Sequence, residues 1–234
     1  MAGLSWRQFK AILRKDLVME LRTREMITSM GLYAILTMVV YQIALAEAGE
    51  ALDVRLVMPG LIWVAFIFMS LLGLNRSFVH EKDQGCIDAL LLSPVDRPVI
   101  FFAKFSGNLL FLLVVEALSL PVFAFLFLQG REGIANPVWL LGVVMFAASV
   151  GISGVGTLLA TMTVNTSGKD ILLAVVFVPL MYPLLMAAVG ATFAAVIGGP
   201  GSIETFWAWM AWVVGFDVIM LLVAFGLYEF VIGA

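Results

Sequence analysis

The 234-residue chain is 63% hydrophobic and only 12% charged, and its 13 basic and 16 acidic side chains give a formal net charge of -3 at pH 7. A mean hydropathy of +1.10 is more than one soluble core of this size can bury, which excludes an ordinary soluble domain. The single cysteine, Cys86, excludes an internal disulfide and a thiolate metal cluster, and nothing in the composition indicates nucleic-acid binding.

Residues 1–25 are predicted to form an amphipathic helix, because apolar residues recur at helical spacing and basic residues occupy the other faces. The apolar positions are Trp6, Phe9, Leu13, Leu17 and Leu21, and the basic ones are Arg7, Lys10, Arg14, Lys15 and Arg22. We expect this helix to lie in the headgroup plane, with its apolar stripe in the interface and its basic faces on anionic lipid. A basic flank that only orients the first span is the alternative.

Residues 26–234 contain six apolar stretches, each able to supply the about 20 helical residues that cross ~30 Å of hydrocarbon. The stretches lie between Glu25 and Glu47, between Arg55 and Arg76, between Lys104 and Arg131, from Asn136 to Gly168, from Asp170 to Gly198, and from about Trp207 to Ile232. A start at Asn136-Pro137 and a stop at Gly198-Gly199-Pro200-Gly201 bound the fourth and fifth stretches. The sequence therefore predicts an all-α integral membrane fold with one domain of six transmembrane helices.

The loop between the second and third spans, residues 80–98, is too polar to cross a membrane and too patterned for a plain linker. Ile87, Leu90 and Leu91 would share one face of a short helix, with Gly85 allowing the turn before it and Pro94 ending it. An apolar knob with acidic flanks suits a groove in a soluble partner.

Two acidic residues, Glu116 and Asp217, lie well inside the third and sixth spans. An ionised side chain at such a depth costs at least ~2.5 kcal/mol, so each should be neutral, paired or facing water. No Lys or Arg is expected at a span centre to pair with them. A place in a substrate path and a purely structural interhelical hydrogen bond both remain open for these two residues.

The fourth and fifth spans carry residues that affect helix packing. Small residues at a spacing of four, such as Ser149, Ser153 and Thr157, favour close helix contact in lipid. Pro179 and Pro183 each remove a backbone hydrogen bond from the fifth span and are predicted to form a hinge or to line a cavity.

The basic residues predict the orientation of the chain. Eleven of the 13 lie on the side of the amino terminus, and only Arg55 and Arg131 lie in the opposite loops. The positive-inside rule therefore predicts cytoplasmic amino and carboxyl termini. The first span has no cleavage site after it and is expected to stay as an anchor.

Catalysis by this chain is not expected. Gly151-Ile152-Ser153-Gly154 matches a serine motif of intramembrane proteases, but the only histidine, His80, lies at the edge of the spans and cannot act as its base. Gly168-Lys169 lacks the first glycine and the Ser/Thr of a phosphate-binding loop, so ATP binding is not expected either.

The run from Glu81 to Pro94 resembles the loop before the third span in transport permeases of the ABC-2 type. That loop has an acidic residue, a glycine and an acidic-apolar helix that ends in Ser/Thr-Pro. Residues 59–65 (PGLIWVA) and 179–185 (PLMYPLL) are similar to the haem exporter B family (CcmB) of bacterial cytochrome c maturation. The length, the six spans and the amino-terminal helix agree with that family, so the resemblance covers nearly the whole chain.

The resemblance implies a permease subunit in the bacterial cytoplasmic membrane that pairs with a second copy of itself and with a separate ABC ATPase subunit, which binds ATP. The residues of the coupling loop that would contact the ATPase are Glu81, Gly85, Asp88, Leu91 and Pro94. A haem-handling membrane subunit and a periplasmic haem chaperone are further implied partners, with haem as cargo. Haem conduction and release of the loaded chaperone both remain open.

Two other functions remain alternatives. An ABC-2 permease could carry another cargo, such as a lipid or a polysaccharide. A proton-coupled carrier could use Glu116 and Asp217 and would need no ATPase. Haem ligation by His80, Cys86, Met181 or Met186 is possible in principle, but no attachment motif is present and no bound cofactor is predicted.

Overall fold

The computed structural model describes residues 2–47, 53–83, 95–128, 136–163 and 169–231, and these residues form helices without a strand among them. The helices are α1 (Ala2–Thr23), α2 (Glu25–Glu47), α3 (Val54–Asp83), α4 (Arg97–Leu128), α5 (Trp139–Thr163), α6 (Lys169–Ile197) and α7 (Ser202–Val231). Helices α2 to α7 are each long and apolar enough to cross a membrane. The six predicted spans are therefore confirmed, and the chain is a multi-pass membrane protein.

Helix α5 is the centre of the bundle. Of its membrane-crossing stretch 78% is buried, against 17% for α2 and 22% for α7, so α2 and α7 are the most peripheral spans. Glu116 and Asn108 of α4 contact Ser149 and Thr157 of α5, so these two helices run antiparallel. The small residues of α5 let the neighbouring helices approach it closely, as its sequence predicts.

The turn between α6 and α7 lies where the glycine-rich sequence predicts it. Helix α6 ends at Ile197, and Gly198, Gly199 and Gly201 adopt φ angles of 70°, 106° and 74°, which residues with a Cβ rarely adopt. The side-chain amide of Asn136 donates hydrogen bonds to the Ala194 carbonyl at 2.9 Å and to Ser202 Oγ at 3.0 Å. Asn136, in the segment before α5, thus connects the end of α6 to the start of α7.

Three predicted boundaries differ from the structure. Helix α4 begins at Arg97, so Lys104, taken as the boundary of the third span, lies inside the helix. The sixth span begins at Ser202 rather than near Trp207, with Glu204 in its first turn, where a carboxylate is favourable. The predicted loop 80–98 is shorter than expected, because α3 continues to Asp83 and α4 starts at Arg97.

Candidate functional site

The side chain of Glu116 is buried between α4 and α5, with 2% of its surface exposed. Ser149 Oγ lies 2.8 Å from Glu116 Oε1 and 2.7 Å from Oε2, so the hydroxyl donates to this carboxyl group. The sequence left open a structural hydrogen bond and a place in a substrate path. The geometry provides the hydrogen bond, from a residue that the sequence analysis assigned to packing.

Two further hydrogen bonds join α4 to the same face of α5. Ser153 Oγ donates to the Phe105 carbonyl at 2.9 Å, and the Asn108 amide donates to Thr157 Oγ1 at 3.0 Å. Interhelical hydrogen bonds in membrane proteins contribute about 0.6 kcal/mol each. The small residues of α5 at a spacing of four therefore hydrogen-bond to α4 in addition to packing against it.

Asp217 lies on the other side of α5, against Gly151. A Cβ at Gly151 would clash with Asp217 Oδ1, so the Asp217 carboxyl group lies directly against α5 at this glycine. Among the described residues, Asp217 Oδ1 has no hydrogen-bond partner. Ser149 and Gly151 are two positions apart, which is about 200° around a helix and ~3 Å along it. Glu116 and Asp217 thus lie at similar depth on opposite faces of α5. A proton-coupled carrier that uses both acids stays an alternative prediction.

The two prolines of α6 lie on the exposed face of that helix. The helix is continuous from Lys169 to Ile197, and Pro179 and Pro183 are both exposed, next to exposed Tyr182. They therefore face away from the interior of the bundle. A hinge at these positions stays a prediction, whereas the buried face of α6 carries Met181 and Leu184.

Helix α1 packs on α4 through a buried ion pair. Lys104 Nζ lies 2.8 Å from Asp16 Oδ2, and only 4% of the Lys104 side chain is exposed. Lys15 Nζ lies 3.0 Å from the other oxygen, Asp16 Oδ1. A buried ammonium group is costly without a paired carboxylate, so this contact allows a lysine two turns inside α4. Buried Ile12 packs beside it in a small cluster with Phe101.

The junction between α1 and α2 is a single residue, Arg24, with a φ of 56°. Glu20 Oε1 accepts a hydrogen bond from the backbone N–H of Ile27 at 2.8 Å. A carboxylate at the amino terminus of a helix satisfies a free N–H group and is favoured by the helix dipole. Glu20 therefore fixes the direction in which α2 leaves α1.

Sequence reasoning missed Asp16, Glu20 and Lys104. A signal was available, because Asp16 and Glu20 are four residues apart and fall on the same side of α1 as Phe9 and Leu13. Acidic residues on an otherwise apolar helix face indicate a buried basic or N–H partner. The predicted apolar stripe is in fact divided: Phe9, Leu13 and Leu17 pack against the bundle, whereas Trp6 and Leu21, at the two ends of the stripe, are exposed. Contact of α1 with lipid stays a prediction.

Most of the predicted ATPase contacts, Gly85, Asp88, Leu91 and Pro94, lie outside the described residues. Glu81 lies in the last turn of α3. Within the described ranges there is no group of three or more His, Cys, Asp or Glu side chains that could hold a metal ion.

Five membrane-crossing helices packed around the small-residue helix α5, with the two buried acids Glu116 and Asp217 beside it, define a polytopic helical membrane protein. The sequence profile described as CcmB protein matches residues 7–230, and the chain therefore belongs to the CcmB protein family. This confirms the family resemblance noted in the sequence.

Relatives named Heme exporter protein B are similar to this chain over most of their length. Heme exporter protein B of Pseudomonas aeruginosa is 30% identical over 163 residues, which cover 70% of this chain and 71% of that protein. The Haemophilus influenzae protein of the same name is 24% identical over 192 residues, covering 82% and 84% of the two chains. The Bradyrhizobium diazoefficiens protein of that name is 25% identical over 188 residues, covering 80% and 82%.

We expect Ser149→Ala to destabilise the folded chain by about 1–2 kcal/mol, more than the average for an interhelical hydrogen bond, because it leaves the buried Glu116 carboxyl group without this donor. The double variant Ser149→Ala with Glu116→Leu should recover part of that loss, since it also removes the unsatisfied acid. Thermal unfolding of the detergent-purified chain measures both effects. Additive losses in the double variant would show that the two side chains do not interact.

Proposed function

We propose that this chain is the permease subunit of an ABC transporter for cytochrome c biogenesis in the bacterial cytoplasmic membrane. The observation that carries the proposal is the CcmB family match over residues 7–230, which spans the described helices almost completely. The relatives named Heme exporter protein B support haem as the cargo. The complex would either export haem or use ATP to release a haem-loaded periplasmic chaperone.

The proposed orientation puts the end of the bundle that carries α1 in the cytoplasm. Eleven of the 13 basic residues belong to that end, and basic residues favour the cytoplasmic side. The segment between α3 and α4 then faces the cytoplasm as well, where a separate ATPase subunit could reach Glu81, Asp88 and Leu91. A second copy of this chain, a haem-handling membrane subunit and a periplasmic chaperone complete the proposed assembly.

Helix α4 is the proposed route by which ATPase movement reaches the spans. It follows the proposed coupling segment directly, and Lys104, two turns from its start, is ion-paired with Asp16 of α1. Further along, Asn108 and Glu116 are hydrogen-bonded to the central helix α5. A displacement of the start of α4 would therefore move α1 and α5 with it.

The double variant Asp88→Lys with Leu91→Asp tests the coupling assignment. It reverses the acidic charge and removes the apolar knob proposed to dock in the ATPase, so we expect loss of ATPase co-purification at normal membrane levels of the chain. A matched control is Glu204→Lys with Ile203→Asp, the same types of change at exposed positions of α7. The control should retain the ATPase. Wild-type recovery of the ATPase with the first variant would contradict the assignment.

A further inference from the structure

The outward face of α1 carries basic residues and no acidic one. Helix α1 contains two acidic residues, and both are engaged by the bundle: Asp16 pairs with Lys104, and Glu20 binds the N–H of Ile27. Arg7 and Arg14 are exposed and lie within about 40° of each other on the helix, opposite Asp16. The fold thus separates the charges of α1, with acids inward and bases outward.

Exposed apolar side chains are interleaved with these bases. Trp6, Val18 and Leu21 are 56%, 54% and 65% exposed, and Lys10 Nζ lies 5.1 Å from the centre of the Trp6 ring. Arg14, Val18 and Arg22 are likewise exposed and lie along one side of the same helix. Basic groups mixed with a tryptophan and aliphatic side chains suit the headgroup region of a bilayer better than an acidic protein surface.

The position of α1 relative to the spans agrees with a location in the headgroup region. Only Arg24 separates α1 from α2, so the carboxyl end of α1 lies where the first span begins. The contact of Asp16 with Lys104 also keeps α1 within two turns of the start of α4. Helix α1 therefore runs beside the ends of two spans, α2 and α4.

We propose that the outward face of α1, formed by Arg7, Arg14, Val18, Leu21 and Arg22, binds the phosphate headgroups of anionic phospholipids. Each arginine attracts the negative headgroups, and the apolar side chains enter the interface between them. The face differs from the stripe expected from the sequence, because the bundle takes up Phe9 and Leu17. The proposal is independent of the cargo and of the ATPase.

The test titrates the full-length, detergent-purified chain with fluorescent phosphatidylglycerol and with fluorescent phosphatidylcholine. At about 1 kcal/mol per basic residue, one Arg→Gln change should weaken phosphatidylglycerol binding about fivefold, and Arg7→Gln, Arg14→Gln and Arg22→Gln together about a hundredfold. The variant with lysine at the same three positions should bind phosphatidylglycerol with an affinity within about twofold of the wild type. Phosphatidylcholine binding should be the same in the wild type and in these variants. Added salt should weaken only the binding of the anionic lipid.

Arg55→Gln, near the start of α3, is the single-residue control for Arg14→Gln; Arg55 is ion-paired with Asp53 and lies outside α1, so its replacement should leave phosphatidylglycerol binding unchanged. An equal loss of phosphatidylglycerol affinity in Arg14→Gln and Arg55→Gln would overturn the proposal. Wild-type affinity of the triple glutamine variant, or equal affinity of the wild type for both lipids, would also overturn it. If the triple glutamine variant binds lipid normally but no longer co-purifies with the ATPase, the outward face of α1 binds the protein partner instead.

Discussion

Lys104→Met is expected to destabilise the chain by about 3 kcal/mol, because breaking a buried ion pair leaves the partner charge without its main compensation. Asp16 would lose the ammonium group 2.8 Å from Oδ2 and keep only the contact of Oδ1 with Lys15 at 3.0 Å. The double variant Lys104→Met with Asp16→Leu should regain most of the lost stability, since an apolar pair of similar size can replace a buried ion pair.

Thermal unfolding in detergent, followed by tryptophan fluorescence, measures these variants against Lys10→Met. Lys10 is exposed and its ammonium group lies over the face of Trp6, so its replacement should cost less than about 1 kcal/mol. If Lys104→Met unfolds at the same temperature as Lys10→Met, the ion pair does not hold α1 on α4. The proposed route from the coupling segment to α1 would then lose its first contact.

Gly190→Ala is expected to destabilise the hairpin of α6 and α7 by about 1–3 kcal/mol through overpacking. A Cβ at this position would lie 2.5 Å from Trp209 Cε2 and 2.6 Å from Cδ2, and a rigid indole ring cannot move aside as a flexible side chain can. The two helices would have to separate, and the groove between them near Phe193 would change shape.

Gly215→Ala in α7 is the matched control, because nothing lies within 4 Å of a Cβ built there. Alanine has the higher helix propensity, so this control should gain about 0.5–1 kcal/mol. The two variants should change the free energy of unfolding in opposite directions, so the same measurement distinguishes the cost of overpacking from the gain in helix propensity. A gain in both variants would mean that α6 and α7 do not approach at Gly190 as described.

The spans could be predicted because their physical cause is local. Long runs without charges are needed in hydrocarbon, and the turn at Gly198–Gly201 follows from the conformational freedom of glycine. The buried contacts between helices could not be predicted in the same way. Lys104 was treated as a boundary because an unpaired lysine is costly in a membrane, and its partner Asp16 is 88 positions away in sequence.

The interior acids illustrate the same limit. Sequence reasoning found Glu116 and Asp217 by their depth in the spans, but not their neighbours, because the rotation of each helix about its axis depends on packing. Ser149 bonds one acid and Gly151 makes room for the other, which puts them on opposite faces of α5. The two acids therefore have different neighbours, which the sequence alone does not show.

The most direct test of the proposed function is haem staining of membrane proteins from a strain that lacks this gene, with and without a complementing copy. The proposal predicts loss of c-type cytochromes in the deletion strain and their return on complementation. Haem that accumulates on the periplasmic chaperone would favour chaperone release over haem conduction. Unchanged c-type cytochromes would contradict the proposal and leave a permease for another cargo as the better account.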